Sequence, residues 1–215
     1  MKILCVVFCA VCLPAAALDR IDPALLRCTF KVMAEEYPGK NSIITSYGSA
    51  VCIALPGKLQ CRYLLTAGHV VKARNRKVCV ELADHWALCT TIKLDVERDL
   101  ALLECEEELP AASQLTESAT EPGGALLLIG CPAGASPSSY WGYLSDTRET
   151  LHCMAVPFYH GDSGAPVFDA SKRLAGIAVA GIGANERGEM CQVICLFVPI
   201  DSIRSFLESV IREKK

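Results

Sequence analysis

The chain has 215 residues, 52% hydrophobic and 21% charged, a balance that supports a packed core and excludes disorder. Its formal charge of −3 carries no basic surplus, so nucleic acid is not an expected partner. No apolar run reaches the roughly 18–20 residues of a membrane span. The one candidate, Ile3 to Leu13, follows Lys2 and leads into Pro14-Ala15-Ala16-Ala17, the layout of a secretory signal peptide cut after Ala17. Residues 1–17 are therefore read as a signal peptide. The expected mature chain is secreted or periplasmic, with no stable membrane insertion; retention of the segment as an anchor is the alternative.

Beyond residue 17, short runs rich in Val, Ile, Leu, Tyr and Phe recur at 49–55, 61–66, 77–82, 88–94, 100–105, 125–130, 166–168 and 174–180. Gly, Pro or polar clusters separate them. Their length and spacing predict an antiparallel all-β protein rather than alternating βαβ units. The most polar stretch runs from Glu106 to Gly124 and splits the mature chain into two β-rich halves. We place the halves at 18–106 and 122–215, with a linker at 107–121. The period then changes: Ile203, Phe206, Leu207, Val210 and Ile211 recur at helical spacing behind Asp201 or Ser202 as a cap. This predicts a C-terminal amphipathic helix closing over the second half.

Ten of the 13 cysteines follow residue 17, enough to pair in an exported chain. Cys52 and Cys61 flank Pro56-Gly57 symmetrically, and Cys79 and Cys89 flank Asp84, so each pair is a candidate cross-hairpin bridge. Buried free thiols are the other reading. No CxxC pair occurs, and Cys191 and Cys195 stand alone at i, i+4, so no metal site is expected.

Three segments concentrate chemistry. His69 ends the apolar run Leu64-Leu65-Thr66-Ala67-Gly68-His69. Asp99 is a lone carboxylate opening Asp99-Leu100-Ala101-Leu102-Leu103, and Ser163 lies in Gly161-Asp162-Ser163-Gly164-Ala165-Pro166. The order His, Asp, Ser across two β-rich halves is what a triad borne in a cleft needs. These three segments resemble the signatures of the chymotrypsin/trypsin-like serine peptidases. The short gaps between them are similar to those of the compact bacterial and viral members, including the HtrA protease domain. Gly48-Ser49-Ala50 and Phe197-Val198-Pro199-Ile200 add to the likeness. The resemblance implies two six-stranded β-barrels with the active site between them. It also implies a serine endopeptidase acting on polypeptides without a cofactor. The PDZ domain that the HtrA group usually adds is not expected, since no residues remain for it.

Each residue has a chemical reason. A serine hydroxyl is a poor nucleophile at neutral pH, so Ser163 needs a base, and His69 is the candidate. Asp99 would fix the imidazole tautomer and stabilise the imidazolium. Backbone N–H groups of Gly161 and Ser163 would meet the oxyanion. The α/β-hydrolase reading of G-x-S-x-G fails, because residue 165 is Ala and no βαβ context surrounds it. Two features depart from the family: Ala165 replaces the usual glycine, and Leu18-Asp19-Arg20 lacks the Ile-Val-Gly-Gly start of the digestive members. By resemblance, the first specificity pocket falls on Pro157, on Val179, Ala180 and Gly181, and on Cys195. None of these is a carboxylate, so cleavage is expected after Ala, Val or Leu rather than Lys or Arg. His160 borders the pocket in this reading and would instead favour Gln. A catalytically silent binding module and a processing protease with one cognate target are the competing functions.

Overall fold

Side chains alternate across the strand Trp86–Asp95: Ala87 and Cys89 point inward and are buried, while Leu88 and Thr90 are exposed. Such a strand needs a core on one side only, and a closed barrel supplies it. The computed structural model describes residues 21–39, 42–55, 60–72, 76–184 and 190–213. The segment read as a signal peptide and the Pro56-Gly57 turn lie outside them.

After a short helix α1 (Pro23–Arg27), six strands form the first barrel: β1 (Thr29–Gly39), β2 (Ser42–Ile53), β3 (Tyr63–Ala67), β4 (Arg76–Glu81), β5 (Trp86–Asp95) and β6 (Leu100–Cys105). A one-turn helix α2 (Gly68–Val71) interrupts them after β3. The second barrel comprises β7 (Ala125–Gly130), β8 (Ser138–Thr147), β9 (His152–Met154), β10 (Pro166–Asp169), β11 (Leu174–Ala184) and β12 (Met190–Pro199). The barrels close in the orders β1-β2-β3-β6-β5-β4 and β10-β11-β12-β9-β8-β7, with every pairing antiparallel. The chain ends in helix α3 (Ile200–Glu213). The all-β, two-barrel expectation with a C-terminal helix is thus met.

Residues 106–124 connect the barrels while strapped to both. Ser113 N–H donates to the Cys52 carbonyl, Thr116 N–H donates to the Leu174 carbonyl, and Leu109 is buried. One apolar core runs from Val32, Leu64 and Leu102 in the first barrel to Phe168, Ile177 and the inner face of α3. A smaller core of Leu126, Leu128, Met154, Val167 and Phe197 fills the second.

Several details differ from the sequence expectations. Helix α3 starts at Ile200, so Asp201 sits in its first turn and is not the cap. Ile203, Phe206, Leu207 and Val210 are buried as expected, but Ile211 is exposed beyond the edge of the apolar stripe. Neither proposed cysteine pair is opposed in its hairpin. Cys52 faces Leu64, while Cys79 faces Leu88 and Cys89 faces Val78, which puts Cys79 and Cys89 on opposite faces of their ladder. Cys28, Cys52, Cys61, Cys79, Cys89, Cys105, Cys131, Cys153 and Cys195 carry free thiols.

Candidate active site

β3 runs straight into α2, so His69 leaves the first barrel at its rim. The turn at 96–99 joins β5 to β6, and its last residue, Asp99, has φ 55°, a left-handed conformation that Asp adopts more readily than most residues. That conformation turns the whole of Asp99 toward α2. Its carbonyl accepts the Gly68 N–H at 2.9 Å and its Oδ1 accepts the His69 N–H at 2.7 Å. Its Oδ2 lies 2.7 Å from His69 Nδ1. Burial is the largest single influence on Asp99 and pushes its pKa up. The hydrogen bond and charge of the His69 ring, the His69 N–H and the Lys72 charge together outweigh it, holding the carboxyl below its usual range. An ionised Asp99 can only accept, so Nδ1 carries the ring proton, which leaves Nε2 as the unprotonated nitrogen of the neutral imidazole.

Ser163 sits between two glycines whose backbone only glycine tolerates. Gly161 has φ 99°, and a Cβ there would stand 2.3 Å from the Cys131 carbonyl oxygen. Gly164 has φ 88°, and its Cβ would stand 2.0 Å from the Ser49 carbonyl oxygen. The turn is clamped from both barrels. Ser49 N–H donates to the Ser163 carbonyl at 2.7 Å, Gly164 N–H donates to the Ala178 carbonyl at 2.7 Å, and Ala178 N–H donates to the Ala165 carbonyl at 2.9 Å. Gly164 also abuts Thr66 and Ala67, the residues leading into α2, so the Ser163 turn and the His69 turn touch. Among the described residues, the N–H groups of Gly161 and Ser163 are donated to no protein acceptor. No hydrogen bond joins Ser163 to His69 there; such contacts often tighten only when substrate binds.

The residues assigned to the specificity pocket lie on the loop before this turn and on β11 and β12. Gly181 pairs directly with Cys195, which is fully buried and whose thiol is pushed up by burial. Pro157 is half-buried and His160 exposed on the loop leading to Gly161. Val179 and Ala180 line a cavity of about 410 Å³ with Glu97, Arg98, Asp99, Glu149, Thr150, Leu151 and Ser202. Pro157, His160, Gly181 and Cys195 are not among its walls. His85 lies on an exposed bend between Asp84 and Glu107, and His152 stands in β9 against Phe197, so neither joins the site. Among the described residues, no group of three His, Cys, Asp or Glu side chains is placed to hold a metal ion.

Two residues at the site were not singled out by sequence reasoning. Ser49 is fully buried; its hydroxyl donates to the Gly161 carbonyl at 2.7 Å and accepts the Cys131 N–H at 2.9 Å. The Gly48-Ser49-Ala50 segment was visible as a motif, but its partners lie about a hundred residues away. Asp162 is also fully buried. One oxygen accepts the Tyr159 N–H at 2.9 Å and the other has no partner, beside Gly130 and Ala165. Burial pushes its carboxyl up to about 6, against the pull of that N–H.

The family profile described as trypsin-like peptidase domain matches residues 48–177, more than half of the chain, from the strand bearing Ser49 through the Ser163 turn. No curated protein matches the chain at a significant level.

Proposed function

Since the chain belongs to the trypsin-like peptidase domain family, we propose that it is a serine endopeptidase with Ser163 as nucleophile, His69 as general base and Asp99 as the group that orients it. The observation that carries this reading is the double contact of Asp99 with His69, at 2.7 Å to both the ring Nδ1 and the backbone N–H. It frees Nε2 to take a proton. In the first step Nε2 accepts the Ser163 hydroxyl proton while Oγ forms a bond to the scissile carbonyl carbon. The displaced electron pair resides on the carbonyl oxygen, met by the unused N–H groups of Gly161 and Ser163. Collapse expels the amine, which takes the proton from His69, and leaves an acyl-Ser163 ester. Water repeats the sequence with the same base and releases the acid. Ala165 presents a methyl group toward the second barrel's core, away from any of these transfers.

Pro157, Val179, Ala180, Gly181 and Cys195 supply no carboxylate, so an unpaired Lys or Arg would be desolvated without compensation. This favours cleavage after Ala, Val or Leu. Residues 1–17 are read as a signal peptide, placing the mature chain in an exported compartment. The test is a fluorophosphonate probe beside a peptide-library digest. Wild-type protein should label on Ser163 and cut, while Ser163→Ala, His69→Ala and Asp99→Asn each lose roughly 10⁴–10⁶-fold in kcat. A Ser163→Ala protein that cleaves at the wild-type rate overturns the function, and a majority of cuts after Lys or Arg overturns the pocket.

A further inference from the structure

Six of the described cysteines lie in the first half of the chain: Cys28, Cys52, Cys61, Cys79, Cys89 and Cys105. Among all described cysteines, Cys89 and Cys105 alone stand directly opposite each other in a ladder, on β5 and β6. The hydrogen bonds on either side define the type of pair. Glu106 N–H donates to the Leu88 carbonyl at 3.0 Å, which makes Leu88 and Glu106 the bonded pair. Cys105 N–H donates the other way, to the Arg62 carbonyl at 2.8 Å on the β3 side. Cys89 and Cys105 are therefore a non-hydrogen-bonded antiparallel pair. In such a pair the Cα atoms approach to about 4.5 Å, within the span a disulfide bridges. Both side chains face the barrel interior, where they are buried together.

The two thiols differ in character. Hydrogen bonding from Cys89 is the largest influence on Cys105 and draws it below the usual thiol range. The Glu107 backbone N–H and the Arg62 charge act in the same direction, against burial and the Glu107 carboxylate. Cys89, held by the same contact and by burial, is pushed well above that range. Cys105 is also the last residue of β6. It is fully buried but lies in the wall of a pocket of about 270 Å³ formed with Arg62, Thr90, Glu104 and Glu106, so an oxidant reaches its sulfur only when this strand end opens.

We propose that Cys89 and Cys105 are a redox pair that closes to a disulfide when a hydroperoxide reaches them through local opening of this strand end. The Cys105 thiolate attacks the peroxide O–O bond. Sulfur is oxidised to the sulfenic acid, and the departing hydroxide takes a proton to leave as water. The Cys89 sulfur then attacks the Cys105 sulfur, the S–S bond forms, and the sulfenic oxygen leaves as a second water with the Cys89 proton. The net change is two thiols and one hydrogen peroxide giving one disulfide and two waters. The bridge would close the β5–β6 hairpin, whose tip carries Asp99, and so couples redox state to the strand pair that holds the His69 partner. The chemistry does not depend on the peptidase assignment.

The test uses folded, pre-reduced full-length protein exposed to hydrogen peroxide, then alkylated, digested and mapped by fragmentation mass spectrometry. The expected product is two hydrogen atoms lighter, with a new link joining Cys89 to Cys105. In Cys89→Ser, dimedone should label Cys105 several-fold more than it labels Cys89 in Cys105→Ser. The linkage map of the unsubstituted protein needs neither variant to fold. A link formed between other cysteines, both thiols remaining alkylatable after peroxide, or equal dimedone labelling of the two variants overturns the proposal.

Discussion

Ser49 shows how much one hydroxyl can hold. It ties the second strand of the first barrel to the Gly161 carbonyl and the Cys131 N–H in the second, both at hydrogen-bond distance. Ser49→Ala leaves that buried donor and acceptor unpaired, and the expected loss is about 1–3 kcal/mol of stability, read from urea unfolding. Because the hydroxyl touches the turn and not the substrate, kcat toward a cleaved peptide should fall while KM stays near its original value. Asp162 presents the opposite case, a charge buried with an idle oxygen. Its carboxyl is raised in the folded state to about 6 from the ordinary 3.8. The folded protein therefore holds this proton more tightly than the unfolded chain does. The stabilisation is complete below about pH 3.8 and is lost as pH rises through about 6. Asp162→Asn should remove that slope and raise stability at pH 7.5 by roughly 1–3 kcal/mol, measured as urea midpoints at pH 5 and 7.5.

At the scale of elements, α3 buries one stripe of Ile203, Phe206, Leu207 and Val210 in the same core as both barrels. Arg204 adds a hydrogen bond to the Thr116 carbonyl in the inter-barrel segment. Most of the helix's stability comes from this packing, since a helix of its length is marginal alone. Phe206→Ala should therefore destabilise the whole protein by about 3–5 kcal/mol, seen as a lowered thermal midpoint. The strands differ in how plainly they announce themselves. β7, and β6 apart from Glu104, are buried along nearly their full length and stand out as apolar runs. β1, with Lys31, Glu35 and Glu36, and β8, with Ser138, Ser145 and Asp146, do not, because each carries polar residues that are partly or fully exposed. β9, three residues long, is too short to show a period.

The whole molecule behaves as one unit in these contacts, despite its two barrels. The main core crosses between them, and the Ser163 turn is hydrogen-bonded to β2 on one side and β11 on the other. Trp86 lies in the first barrel and Trp141 in the second, the only two tryptophans of the chain. Trp86→Phe and Trp141→Phe therefore leave one fluorescent reporter per barrel. Their urea transitions should share a midpoint after correction for each substitution; separate midpoints would show barrels that unfold independently.

The motifs around His69, Asp99 and Ser163, the β-rich halves and the final helix could be read directly from the chain, because each rests on local pattern: a small-residue turn after an apolar run, period two, period 3.6. Residue pairing could not be read that way. Symmetry about a turn suggested Cys52 with Cys61 and Cys79 with Cys89, yet the ladders oppose Cys89 to Cys105. A shift of one residue in register turns every side chain to the other face, and register is set by which core each strand fills, not by the turn residues alone. The same holds for Ser49 and Asp162. Ser49's partners arrive from the other barrel and Asp162's from a folded-back loop of its own barrel, so their burial and their met or unmet hydrogen bonds exist only in the folded structure.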